Sequence, residues 1–375
     1  MTSPPITPLV AAVGETRAVV AVQEVQGDVR DAVRRALAGA DWTRFVAKGA
    51  DVSLKVNLGW DLFIPGSITS PLVLEALIEE IRDHVGRIYV VEADQVLEDI
   101  ESAFHASGMA AVCTRTGAQW VNMTDAATVA EEFPGNVILK RIDVPRILRQ
   151  TTLITVPVMK THAKTGLTGA LKNQWGCLSK MRHEYHLVLD DALADLNSAI
   201  RPALALMDGT VGLEGNGPKS GRSRIADRIL CSGDPVALDT VQALVMGLEP
   251  SSIRHLATCA ARGIGTNEIA RIEVRGMALA AARVPFLPAR HNAVSTVETL
   301  LRRSALKRLF FNTPVFDLCL FGAKLYYRAW TRLQAQAHWA RIRAHPVYGP
   351  QWQGLRPGRR RTRRDLATPE PASRA

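Results

Sequence analysis

The residues best suited to chemistry are concentrated in one stretch, VPVMKTHAKTGLTGALKNQWG at 156–176, followed by KMRHEYH at 180–186. Lys160, Lys164 and Lys172, with His162, His183 and His186, surround the small residues Thr165, Gly166, Thr168, Gly169 and Ala170. Small residues let a backbone approach a ligand closely, and amides at a helix start favour anions. A lysine supplies fixed positive charge, or a base or nucleophile when burial lowers its pKa. A histidine adds a general acid or base, or a neutral metal ligand. The competing account is a solvated basic loop whose histidines bond locally. Such a concentration directly after a strongly apolar strand favours a site. It is not a Walker phosphate loop, because G-x-x-x-x-G-K-[ST] is absent.

Three further segments carry weaker signals. DGTVGLEGNGPKSGRSR, from Asp208 to Arg224, holds five glycines, Gly215 and Gly217 among them, the carboxylates Asp208 and Glu214, and three cations. Asp208 at a strand end suits a metal, a sugar hydroxyl or a catalytic lysine, whereas a structural glycine-rich loop explains the composition equally well. SGDPVALD, from Ser232, is a helix start with Asp234 as cap and Pro235 in the first turn, and Asp239 stands one turn inside. KVNLGWD places Lys55 and Asn57 at another strand end, where Asn57 with Gly59 is also typical of a turn.

These segments need a frame, and short β-branched runs alternating with helical patterns through residue 276 supply one: an α/β fold with a mainly parallel sheet flanked by helices. Strands are predicted at 17–22, 51–56, 87–92, 118–122, 136–142, 151–157, 203–208, 226–232 and 269–274. Helices are predicted at 27–39, 70–84, 97–108, 189–200, 235–247 and 251–262, the second opening with Ser70 as N-cap and Pro71 at the first helical position. In such sheets ligands gather beyond the carboxyl ends of strands. On this reading the loops after residues 56, 157, 208 and 232 form the site.

Taken in order, Lys55, Asn57, Pro157 to His162, Thr168 to Asn173, Gly176, His186, Asp208, Glu214 to Pro218, Gly221 and Asp234 to Asp239 resemble the bacterial and archaeal "domain of unknown function" family 362, over about residues 17–276. The resemblance implies an α/β fold and a shared site without naming a reaction. Many members carry a ferredoxin-like double-cluster domain. Here five scattered cysteines with no C-x-x-C leave no iron–sulfur ligand set within the chain, although a cluster shared with a partner stays open. The order His162, Gly166 with Gly169, Lys172 and His183 or His186 is also similar to the nickel-pincer lactate racemase family. That similarity implies Lys172 as cofactor anchor and the histidines as proton movers.

Length and charge divide the rest. At 375 residues, 47% apolar and 22% charged, the chain is globular with an ample core. A tail at 1–16 precedes an α/β domain at 17–276, whose division into two lobes near 150–200 is left open. A linker with an amphipathic helix follows at 277–314, then an apolar or amphipathic helix at 315–345 and a basic, disordered tail at 346–375. Residues 281–375 hold 18 Lys and Arg against 4 Asp and Glu, so the net charge of +10 belongs to this quarter, while the first 280 residues hold 28 basic against 32 acidic. Asp317, Lys324 and Arg328 interrupt the apolar run at 315–333, which disfavours a membrane span.

Two placements of that helix remain: in a membrane interface, with Phe316, Leu320, Phe321, Tyr327 and Trp330 inserted, or packed on the body or a protein partner. Residues 302–364 suit an anionic membrane surface, and no nucleic acid is expected, because the aromatics are not interleaved with the arginines. The N-terminus lacks a basic n-region, so the expected location is the cytoplasm, including the inner face of the cell membrane.

The sequence thus predicts an enzyme binding an anionic small molecule or cofactor of unknown identity. Lys160, His162, Lys172, His186 and Asp208 would act in catalysis. Lys55, Asn57, Gly166, Thr168, Gly169, Asn173, Glu214, Gly215, Gly217 and Asp239 would bind. Proton or group transfer, of isomerase or transferase type, suits these groups better than hydride transfer, since no G-x-G-x-x-G follows a strand. The alternative is a noncatalytic accessory or iron–sulfur-associated protein docking on a membrane-associated complex.

Overall fold

The computed structural model describes residues 17–59, 64–94, 100–178, 185, 187–217, 220–289, 300, 321–322 and 325–353. Its strands are β1 (Ala18–Glu24), β2 (Val52–Val56), β3 (Ile88–Glu92), β4 (Gln119–Asn122), β5 (Thr128–Glu132), β6 (Arg141–Pro145), β7 (Thr152–Val156), β8 (Val158–His162), β9 (Gly166–Thr168), β10 (Leu204–Glu214), β11 (Arg222–Ser232) and β12 (Ile272–Gly276). The helices are α1 (Val29–Gly39), α2 (Pro71–Ile81), α3 (Ile100–Ala106), α4 (Met109–Thr116), α5 (Ile147–Gln150), α6 (Ala170–Asn173), α7 (Leu189–Ala199), α8 (Pro235–Val245), α9 (Arg254–Ala261), α10 (Leu279–Ala282) and α11 (Gln336–Arg343).

One mixed, mostly parallel sheet runs β12-β1-β11-β10-β7-β2-β3-β4, with β8 and β9 attached beside β10. It takes strands from both halves of the described α/β region. Helices cover both faces, which the strands express as alternation: Leu204 and Leu206 join the core under α1 and α2, while Ala205 and Met207 join the core under α8. The sheet is therefore buried on both sides.

Most predicted elements are present, α2 included, with Ser70 capping Val73 N and Pro71 opening the helix. The strand expected at 136–142 is displaced. Amides of Val137, Ile138 and Leu139 donate to the buried carboxylate of Asp195, so these residues are not free to join a ladder. β6 starts later and pairs with β5 in a separate antiparallel ribbon.

Two loops expected to line the site are strands. Proline has no N–H to give the ladder, so Pro157 ends β7, and the chain resumes pairing with β10 as β8. Likewise β10 does not stop at Asp208. It bulges between Gly209 and Val211 and continues to Glu214, pairing with β11 as a long hairpin.

The C-terminal region is part of the body where it is described. Met277, Leu279, Ala282, Val284 and Phe286, placed by sequence in a linker, pack under α8. Residues 346–353, expected to begin a disordered tail, are ordered against the main core: Tyr348 and Trp352 are buried there with Trp339 and Ile342 of α11. Large apolar side chains this deep are anchors. Trp339→Ala or Trp352→Ala should lower unfolding stability by about 3–5 kcal/mol in denaturant titrations. A loss below about 1 kcal/mol would show that the segment only rests on the surface.

Candidate functional site

Adjacent parallel strands β7, β2 and β3 end in register, so Asn57, Glu92 and Pro157 come together at one edge, where β8 adds Lys160. Lys55 points inward from β2 and is 1% exposed, with its ammonium 2.8 Å from either oxygen of Glu92. Glu92 also accepts from Leu58 N and Ala93 N, which satisfies the rest of its carboxylate. Gly176 lies against this pair, where a Cβ would come 2.3 Å from Glu92 Oε1.

Lys160 is 3% exposed and donates to Asn57 Oδ1 at 2.7 Å and to the Ser67 carbonyl at 2.9 Å. Asn57 Nδ2 donates to Asn173 Oδ1, while Asn173 Nδ2 donates to Lys55 O and Thr155 Oγ1. Two amides thus link both lysines. Burial brings the Lys160 ammonium down to about 7, with Lys55 pushing the same way while Glu92 and Asp208 oppose it.

Asp208 is fully enclosed. Its carboxylate accepts from Ser70 N at 2.7 Å, Thr210 N at 3.0 Å and Thr210 Oγ1 at 2.7 Å. Burial raises its pKa, against those donors and the charge of Lys160. Thr168 stands directly opposite Lys160 in the β8–β9 ladder, which puts the two side chains on one face. Its Oγ1 is buried and has no hydrogen-bond partner among the described residues.

The other predicted residues serve the frame. The amides that open α6, which the sequence offers to an anion, are taken by the chain's own Asp239: Ala170 N and Leu171 N donate to its carboxylate at 2.6 and 3.0 Å. Burial raises Asp239 to about 7. Gly169 is needed for that contact, because a Cβ would lie 2.2 Å from Asp239 Oδ1. Gly217 likewise faces the Thr161 carbonyl, 2.0 Å from where a Cβ would stand. Gly166 and Gly215 turn the chain at positive φ, 77° and 78°. Glu214 accepts from Arg222 and from Leu287 N, fastening the segment after α10.

His162 ends β8, and its Nδ1 accepts from Lys164 N and Thr165 N, which leaves the proton of the neutral ring on Nε2. Lys172 holds its ammonium 5.4 Å from the Trp175 ring centroid. His183 and His186 lie outside the described residues. At the positions singled out by the resemblance to lactate racemases, Asp239 stands beside Gly169 and the Lys172 ammonium lies over the Trp175 ring. Among the described residues, no group of three or more His, Cys, Asp or Glu is placed to hold a metal ion.

Sequence reasoning missed Glu92, Ser70, Thr155 and Ser67. Glu92 was legible as the one charge ending the apolar strand IYVVE. The others act through a hydroxyl or backbone group and leave no pattern. His255 of α9 was also missed; it is wholly buried with both ring nitrogens unpartnered, and burial lowers its pKa to about 3, which keeps it neutral.

Residues 52–243, which span this constellation, match the family described as Domain of unknown function (DUF362). The chain belongs to that family. Over 113 residues it is 33% identical to "Thylakoid-associated protein sll1697" of Synechocystis, an alignment covering 28% of this chain and 35% of that protein. The chain therefore spans about a third of that relative. A solved structure, the lactate racemase apoprotein of Thermoanaerobacterium thermosaccharolyticum, overlays with a TM-score of 0.37 at 12% identity. It covers 62% of this chain and 58% of the racemase, too loose a match to argue from.

The candidate site contains a buried ion pair, Lys55 with Glu92, whose two halves depend on one another. Lys55→Met should cost about 3–5 kcal/mol by leaving Glu92 charged and unpaired. Lys55→Met with Glu92→Leu should recover much of that loss in the same denaturation experiment. A double variant no more stable than Lys55→Met would refute the dependence.

Proposed function

We propose that this DUF362 protein is an α/β enzyme that binds an anionic small molecule at the carboxyl edge of its sheet and moves a proton there with Lys160. The observation that carries the reading is Lys160 itself. A lysine poised near neutrality, fixed by Asn57 Oδ1 and Ser67 O, exchanges a proton at physiological pH, which an ordinary lysine near 10.4 does poorly. In its charged form it attracts an anion; in its neutral form it accepts a proton or attacks an electrophilic carbon.

Asp208 balances the ammonium, and Thr168 Oγ1 offers an unused donor on the same face. Asn57 and Asn173 hold the geometry, while His162 supplies a second acid–base group at the end of β8. Lys172, set over Trp175, contributes positive charge. His186 completes the set as the sequence grouped it. Proton transfer of isomerase or racemase type uses these groups most directly.

Native mass spectrometry of the purified full chain tests the reading. A small acidic molecule should be retained by wild-type protein and lost from Lys160→Met with the circular dichroism spectrum unchanged. Equal retention by both would sink the assignment of Lys160.

A second reading, peripheral attachment to an anionic membrane on the cytoplasmic side, rests on a different observation. Phe321, Leu325 and Leu333 are 62%, 59% and 82% exposed. The surrounding quarter carries the surplus of 14 positive charges. Exposed apolar residues within a basic segment suit an anionic lipid surface. The name of the Synechocystis relative points the same way. Among the described residues no helix is long and apolar enough to cross a membrane.

Tyr327 and Trp339 are buried in the body and are not free to insert. Vesicles containing phosphatidylserine should sediment the protein at low salt, and Leu325→Asp with Leu333→Asp should weaken binding at least about tenfold. Equal binding to neutral vesicles would refute the anionic-surface reading, and binding to neither would leave the exposed apolar residues to a protein partner.

A further inference from the structure

The N-terminus of α2 has two caps. Ser70 supplies one, accepting from Val73 N. The other comes from 281 residues away: Gln351 Oε1 accepts from Ser70 Oγ at 2.6 Å and from Leu72 N at 3.1 Å. The first amides of a helix have no partner within it, so a side-chain oxygen in this place fixes where the helix begins. Here that start is also part of the site, because Ser70 N donates to Asp208 Oδ2 at 2.7 Å. One residue is thus gripped from both sides, by Asp208 through its backbone and by Gln351 through its hydroxyl.

The segment bearing Gln351 is held firmly. Trp352 beside it is buried, and Trp339 and Trp352 meet edge to face with ring centroids 5.8 Å apart. The Tyr348 hydroxyl donates to Asp227 Oδ1 on β11, at a non-glycine residue whose φ is 53°. Tyr348 is also near enough to Asp208 for that carboxylate, after burial and Asp227, to help keep the phenol protonated. The groups facing Lys160 are Glu92, Lys55 and Asp208, and those facing Asp208 are Lys160, Ser70, Thr210 and Tyr348.

We infer that Gln351 is a positioning residue for the Lys160–Asp208 site, acting through Ser70 at the start of α2. The inference deepens the enzyme reading and rests on it. The C-terminal segment is then a built-in part of the site, although it lies more than a hundred residues beyond the last strand-end residue that forms it. Loss of the Gln351 acceptor frees the Ser70 hydroxyl, loosens the Ser70 amide and weakens the donor that favours ionised Asp208. Less negative charge then faces Lys160, and the lysine gives up its proton at lower pH.

NMR titration of protein labelled with 13C at lysine Cε reads this directly, with Lys160→Met assigning the resonance. Wild-type Lys160 should titrate near 7, and Gln351→Leu should move its midpoint down by about half a pH unit or more. Gln351→Glu keeps the acceptor and places a carboxylate at a helix N-terminus, so it should return the midpoint to the wild-type value or above. Tyr348→Phe keeps the ring in the core while releasing Asp227; it should shift Lys160 in the same direction as Gln351→Leu, and it decides the matter if Gln351→Leu does not fold.

A purely structural Gln351 would lower the melting temperature and leave the Lys160 midpoint in place. An unmoved midpoint in both Gln351→Leu and Tyr348→Phe overturns the inference, as does a Gln351→Glu protein that behaves like Gln351→Leu. A wild-type Lys160 titrating near the ordinary value of about 10.4 would instead overturn the enzyme reading beneath it.

Discussion

Two lysines enclosed at the carboxyl edge of an apolar sheet impose the constraint that the surrounding structure answers. A buried charge without partners costs several kcal/mol, so each ammonium must be compensated where it stands. The two are compensated unequally. Lys55 meets both oxygens of Glu92 at 2.8 Å and is a closed pair. Among the described residues Lys160 has neutral acceptors at hydrogen-bond distance, Asn57 Oδ1 and Ser67 O, while Glu92 and Asp208 act on it through space. The first arrangement is a closed ion pair, and the second leaves the ammonium on neutral acceptors, where burial lowers its pKa.

The amides explain why the inequality persists. Asn57 and Asn173 each use both ends of the side chain, accepting from one neighbour and donating to another, so neither can turn over without breaking a bond. A carboxylate in place of Asn57 would pair with Lys160 and draw its pKa upward. An apolar side chain would leave the ammonium with one acceptor fewer. The amide fixes the lysine without neutralising it.

How much of this was legible follows from what each residue leaves in a sequence. The sheet order's parallel core, Ser70 and Asp234 as caps, and Lys55, Asn57, Lys160, Asn173 and Asp208 as members of one constellation all rest on type and spacing, and the structure brings those five together. The glycine-rich runs could not be resolved by composition because glycine marks any close approach, and at Gly169 and Gly217 a close neighbour is the chain's own Asp239 or Thr161 carbonyl. The loops predicted after residues 157 and 208 failed for a topological reason: β8 and the far half of β10 are strands only because β7 ends at Pro157 and a long hairpin partner lies beyond. Ser70 was readable as a cap, but its second role came from tertiary contacts of its backbone and hydroxyl, which no local pattern records.

The division of charge acquires a structural meaning in the same way. The body near neutrality pairs buried Lys55 with Glu92 and places buried Lys160 in the amide network. The C-terminal quarter has few acids of its own, and its described part sorts by side-chain type. Trp339, Tyr348 and Trp352 turn inward and anchor the segment, while Phe321, Leu325 and Leu333 face outward. A segment that only shielded the core would have no reason to keep large apolar groups exposed in a basic setting. One that only touched a surface would not bury two tryptophans and cap α2. The segment's inner face is fixed through Gln351 to Ser70 and Leu72 at the start of α2, and the Ser70 amide in turn holds Asp208.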